Sequence, residues 1–142
     1  MTLHYLTFRA FCQATEDEKK VMSAIKFISG AEDVIITKSQ GFHGNLILIL
    51  EAMVKSKKQV DSVFQSLGHQ HLLELRDTLE SRLDSDSNFF FRLDKQAAYE
   101  GKVVLTVQDD VIAVKGKVKA YPNNRENALR VMTDYLEGLL AS

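Results

Sequence analysis

Cysteine is almost absent from this chain: Cys12 is the only one in 142 residues. That excludes a disulfide framework and fits a reducing compartment. A lone thiol pointing inward from an apparent strand reads as inert core rather than as a nucleophile. Long apolar runs are missing as well. The longest, Leu46 to Leu50, falls far short of the roughly 20 residues that a membrane span needs. Residues 1–12 alternate instead of forming a basic and then apolar leader, so the expectation is a soluble cytoplasmic protein. Charge of either sign is not in excess. Lys and Arg number 18 against 19 Asp and Glu, a net of −1, whereas nucleic-acid modules are usually basic. Any phosphate-binding surface must therefore be local.

The usual signs of catalysis or metal binding are also lacking. No Ser-His-Asp spacing and no paired carboxylates stand out. His69 and His71 have no third ligand near them in sequence. The run Asp84-Ser85-Asp86-Ser87-Asn88 imitates the opening of a calcium loop, but its sixth position is Phe89 and its twelfth Lys95, where glycine and glutamate are required. No cofactor, metal or enzymatic activity is expected. Linkers, repeats and low-complexity stretches are absent too, so residues 1–142 read as one domain, large enough to bury a core unaided.

What is present is a clear alternation of strands and helices. Leu3 to Cys12 places Leu6, Phe8, Ala10 and Cys12 on one face and Tyr5, Thr7, Arg9 and Phe11 on the other. A capping box of Thr15 with Glu18 opens a helix carrying Val21, Ala24, Ile25 and Ile28, closed by Gly30. Glu32 to Lys38 and Asn45 to Val54 read as a hairpin, the second strand apolar on both faces and hence central. Ser56 caps a helix with Val60, Val63, Phe64 and Leu67 inside, and a further helix after Gly68 buries Leu72, Leu75, Leu79 and Leu83. Val103–Val107 and Val111–Tyr121 predict a second hairpin, with Ile112, Val114, Val118 and Ala120 inward. Pro122 stops it, and Asn123 with Glu126 caps a last helix ending near Leu140. The predicted order is β-α-β-β-α-α-β-α-β-β-α, an α+β two-layer sandwich with a mixed or antiparallel sheet and helices on one face.

The segment Phe89 to Gly101 organises the rest. Three consecutive phenylalanines are costly to expose, and a strand would send Phe89, Phe91 and Leu93 inward and Phe90 and Arg92 outward. Asp94 then caps a short helix, Lys95 to Glu100, which Gly101 ends. The run Arg92-Leu93-Asp94-Lys95-Gln96-Ala97-Ala98 with Gly101, together with Ala14-Thr15-Glu16-Asp17-Glu18 and Gly41-Phe42-His43-Gly44-Asn45, resembles the signature of an archaeal family of RNA-binding proteins, also described as predicted exosome subunits. The resemblance runs from about His4 to Leu140. It implies a fold like that of ribosomal protein L5, RNA as ligand and exosome subunits as partners.

The sharpest physical clue is Lys115-Gly116-Lys117-Val118-Lys119-Ala120-Tyr121. Lysines at alternate positions share one strand face at about 7 Å per step, near the spacing of phosphates along a single strand. With Arg92 and Phe90, or Tyr5 and Arg9, on the same face, cations and rings interleave as in sheet-based RNA readers, and Tyr121 adds a further ring. Alternating lysines also mark solvated edge strands that resist aggregation. Gly41, His43, Gly44 and Asn45 can form a phosphate loop, or simply a hairpin turn; no Lys-Ser or Lys-Thr follows, so a nucleotide P-loop is not indicated. Lys95 can contact RNA, or simply pair with an acid. The near-neutral charge also leaves open a homodimer or protein-interaction module that uses an exposed sheet edge or apolar face.

Overall fold

The computed structural model describes residues 2–40 and 44–142. In chain order the elements are β1 (Leu3–Cys12), α1 (Glu18–Ser29), β2 (Ile35–Gln40), β3 (Leu46–Val54), α2 (Lys57–Asp77), a 3-10 turn (Leu79–Arg82), β4 (Asn88–Asp94), α3 (Lys95–Tyr99), β5 (Val111–Val118) and α4 (Arg125–Leu140). The expected α+β class holds: one antiparallel sheet in the order β2-β3-β1-β5-β4. The chain groups into two compact units. One comprises Met1–Leu6, Lys55–Phe91 and Lys115–Ser142; the other comprises Thr7–Val54 and Arg92–Val114.

In the first unit, the strand residues Leu3, Leu6, Phe89, Phe91 and Val118 meet an apolar stripe of α2 and α4. That stripe is Val60, Val63, Phe64, Leu67, Leu72 and Leu75 from α2 and Ala128, Met132 and Leu136 from α4, all buried. Phe64 is the hub. Its ring centroid lies 5.7 Å from that of Phe91, 6.2 Å from Phe89 and 5.3 Å from Tyr135, the last edge-on at 86°. The Tyr135 hydroxyl leaves this cluster to donate to Asp61 at 2.6 Å, so its polar tip is satisfied while its ring is packed. Gly116 permits the close approach of β5 to β1: a Cβ there would stand 2.8 Å from Leu6 Cδ2 and 3.3 Å from the Tyr5 carbonyl oxygen.

In the second unit, α1 packs on β3 and α3, burying Val21, Ala24, Ile25 and Ile28 together with Leu50, Ala52 and Ala98. Strands β2 and β3 form the expected hairpin, with Thr37 opposite Ile49. β3 is internal rather than central, since β1 holds the middle. All six residues of the edge strand β2 are exposed.

Several local expectations are corrected. Asp17, not Thr15, caps α1, its Oδ1 accepting from the Lys19 amide at 2.9 Å. The two middle helices are one element, α2, broken at Gly68 (φ 82°, ψ 166°), a conformation open essentially to glycine alone. Asn124, not Asn123, caps α4 and accepts from Asn127 rather than from Glu126. Residues 103–107 are not a strand paired with β5. They run beside β4 instead, through the Leu93–Leu105 bridge and the bonds from Asp94 N to Val104 O (2.8 Å) and Thr106 N to Arg92 O (3.0 Å). β5 ends at Val118, and Ala120 is only half-buried. Ser56 and Asp94 cap α2 and α3 as expected.

Candidate nucleic-acid interface

Side-chain alternation fixes which strand groups face out. In β4, Phe89, Phe91 and Leu93 are buried, while Phe90 (40% exposed) and Arg92 are turned outward. In β5, Val114, Gly116 and Val118 face the core; Lys115 is exposed, Lys117 half-buried, and Lys119 just beyond the strand is exposed. The first unit therefore carries Lys115, Lys117 and Lys119, with Tyr5 and Phe90 on the outward side of the flanking strand segments. Tyr121, 95% exposed, follows at the end of the ladder.

The position of β5 bears on what these lysines are for. β5 lies between β1 and β4, with Lys119 N donating to Thr2 O and Val118 N to Ser87 O, each at 2.8 Å. Protection of an open edge thus does not explain the alternation, because the strand has a neighbour on each side. The Lys117 ammonium donates to the Asp86 carbonyl, and its charge also acts on the Asp84 carboxylate, helping to hold that group below its ordinary value. Among the described residues, Lys117 and Lys119 take part in no carboxylate ion pair.

The remaining expected residues belong to the second unit. Arg9 pairs with Glu51 at 3.3 Å. Arg92 pairs with Asp109 at 3.5 Å and donates to the Gln108 carbonyl at 3.1 Å. Both arginines are exposed but already have an acid beside them. Gly44 and Asn45 are exposed at the start of the β3 side of the hairpin; Gly41 and His43 lie outside the described residues.

Lys95 is corrected outright as a surface contact. Its side chain is fully buried, and its ammonium donates to Asp110 (2.7 Å), to Glu16 (2.8 and 3.0 Å to its two oxygens) and to the Phe11 carbonyl (3.0 Å). Tyr99 donates to the same Glu16 carboxylate at 2.8 Å. Burial pulls the Lys95 pKa down, but the hydrogen bonds and charges of Asp110 and Glu16 outweigh it and hold the pKa above its ordinary value. Burial likewise pushes Glu16 up. Bonds from Lys95, the Gln13 amide and Tyr99 reverse the balance and leave Glu16 below the usual carboxylate value. Glu16, Tyr99 and Asp110 were not singled out from sequence. The available signal was that Lys95 continues the inward parity of Phe89, Phe91 and Leu93 and shares a helical stripe with Ala98.

Cys12 is buried and free, and burial raises its thiol pKa first of all. Among the described residues, no group of three or more His, Cys, Asp or Glu side chains is placed to hold a metal ion, and no helix is long and apolar enough to cross a membrane.

Comparison with known proteins places this geometry in context. A family model described as RNA binding matches residues 5–118. The chain belongs to that RNA-binding family. A Pyrococcus abyssi relative named RNA-binding protein PAB1135 is 32% identical over 145 residues, spanning 95% of this chain and 94% of that protein. Among solved structures, a DUF54 protein from Methanothermobacter thermautotrophicus superposes with a TM-score of 0.80 at 29% identity, covering 99% of both chains. A DUF54 protein from Archaeoglobus fulgidus gives 0.81 at 31% identity, over 96% of this chain and 99% of the other. The family match takes in most of β1 and all of α1, β4, α3 and β5, and so includes Lys115, Lys117 and the buried Lys95 network but ends just before Lys119.

Proposed function

We propose that this chain binds RNA, without catalysing a reaction, through the outward strand surface of its first unit. Lys115, Lys117 and Lys119 neutralise phosphates, and Phe90, Tyr5 and Tyr121 offer faces for bases to stack on. The observation that carries this reading is the ladder of outward lysines on an internal strand, for which edge protection is no explanation. Membership of the RNA-binding family and the printed name of the Pyrococcus relative support it. Arg9 and Arg92 are left outside this core set because each starts from a compensated charge. Fluorescence anisotropy with labelled RNA tests the proposal. Lys117→Gln with Lys119→Gln weakens binding, and loss of all salt sensitivity in the wild-type protein would refute it.

The signature resemblance extends the proposal to a setting: a cytoplasmic protein associated with the archaeal exosome. Co-sedimentation with assembled exosome, in the presence and absence of RNA, checks this.

A second reading has its own observation. The edge strand β2 is exposed along its whole length, with Ile35 70% exposed and Leu46 of the neighbouring β3 50% exposed. Free edges with apolar side chains favour pairing with another strand, and a net charge of −1 offers little repulsion between copies. On this reading the protein self-associates through β2. Sedimentation at micromolar concentration decides it, a monomer throughout counting against it.

A further inference from the structure

The signature segments around Glu16 and Gln96 do not form the lysine ladder; they build something else. Helices α1 and α3 of the second unit flank an open groove of about 660 Å³, within the size range of small-ligand sites. On α1, Lys20, Ser23 and Phe27 follow one another at helical spacing, with Lys19 beside them at the same end. The opposite wall is supplied by Gln96 and Tyr99. Phe27 is a large ring left 48% exposed on α1, on the side where Ala24 also lines the groove. Among the described residues, Lys19 and Lys20 enter no ion pair. Among the described residues that line the groove the one acid, Glu100, lies 3.8 Å from Lys102.

We infer that this groove binds a short run of single-stranded RNA, with phosphates at Lys19 and Lys20 and a base against Phe27. The inference rests on the RNA-binding reading above and adds to it a contact site on different elements. Charge and chemistry choose the occupant. The cations sit at one end, an open aromatic ring stands about 10 Å along the helix, the Ser23 hydroxyl lies between them on α1, and Gln96 adds an amide to the lining. That is the combination which tracks a backbone and stacks a base. An apolar peptide helix would want a broad greasy floor, and here only Ala24 and Ala98 join Phe27.

The wall is also preformed. α3 has only five residues, too few to persist alone. Its first residue, Lys95, and its last, Tyr99, are both tied to Glu16, two residues before α1. The buried network thereby fixes α3 against the start of α1 and holds the groove open before any ligand arrives, which lowers the ordering cost of binding.

The test is anisotropy of a labelled oligouridine on the full chain, comparing wild type with Phe27→Ala, Phe27→Tyr, the pair Lys19→Gln and Lys20→Gln, and the sheet-face pair Lys117→Gln and Lys119→Gln. The groove predicts about fivefold or greater weakening for Phe27→Ala and near wild-type binding for Phe27→Tyr. The Lys19 and Lys20 pair should lower the slope of log affinity against log salt by about 1.4. If only the Lys117 and Lys119 pair loses affinity, the groove is refuted and the sheet-face reading stands. If only the groove variants lose affinity, the groove stands and the sheet face does not. No binding by the wild type removes both. Should Phe27→Ala prove unstable by circular dichroism, a 4-thiouridine oligonucleotide crosslinked to the wild-type chain replaces it. Adducts within residues 19–27 support the groove, and adducts confined elsewhere overturn it.

Discussion

Taking away the Lys95 ammonium would leave Glu16 facing the interior with only Tyr99 and the Gln13 amide as donors. Removing one partner of a buried pair costs about 3–5 kcal/mol when the other is stranded. Asp110 is 64% exposed and can rehydrate, so Lys95→Met should cost toward the lower end of that range, measured by urea unfolding. The pH dependence follows from the same pair. Glu16 titrates lower folded than unfolded, so its contribution is present above the unfolded value, about 4.3, and is lost as pH falls through the folded one. Lys95 titrates higher when folded, so its contribution is present below about 10.4 and is lost as pH rises through the folded value. The contribution of this pair should therefore be flat between these limits, and Glu16→Gln should shallow the acid limb of a stability-versus-pH curve. Ser87 makes a prediction of opposite sign. It is fully buried, holds φ 64°, and its hydroxyl has no partner among the described residues. Ser87→Gly removes a left-handed penalty and an unpaired hydroxyl together and should raise stability by about 1–2 kcal/mol. Neither the Lys95 network nor the Ser87 strain was legible in the sequence as such. Glu16 and Asp110 stand 79 and 15 residues from Lys95, and local patterning gives no contact at that range.

Strands and their inward faces were readable because period-two alternation survives folding. Phe89, Phe91 and Leu93 went in, Phe90 and Arg92 out, and Leu6, Phe8 and Ala10 formed the core face of β1. Helix starts were less readable, since Thr15-Glu16-Asp17 and Asn123-Asn124 each offer neighbouring residues able to cap, and tertiary contacts choose between them. The apolar 103–107 run had the composition of a strand but found its partners in β4. Two glycines give element-scale tests. Gly116→Ala would drive a methyl against Leu6 and the Tyr5 carbonyl between adjacent strands, an overpacking cost of about 1–3 kcal/mol. Gly68→Ala must adopt φ 82° at the break in α2 and should cost about 1–3 kcal/mol. Both are measured by chemical denaturation, and a neutral Gly68→Ala would mean that α2 can straighten there.

For the whole molecule the governing fact is its near-zero net charge, −1 over 142 residues. Long-range attraction to nucleic acid is then weak, and affinity must come from a few placed cations and rings. Arg9 and Arg92, compensated by Glu51 and Asp109, should matter less than the lysines, and alanine at either is expected to change RNA affinity by no more than about twofold. The most direct measurement is the salt dependence of single-stranded RNA affinity for the wild-type chain and for Lys117→Gln with Lys119→Gln. Three phosphates held by the ladder give a log–log slope of about −2, and removing two lysines brings it to about −0.7. An unchanged slope in the double variant, or a wild-type affinity indifferent to salt, would contradict the placement of RNA on the β5 lysines.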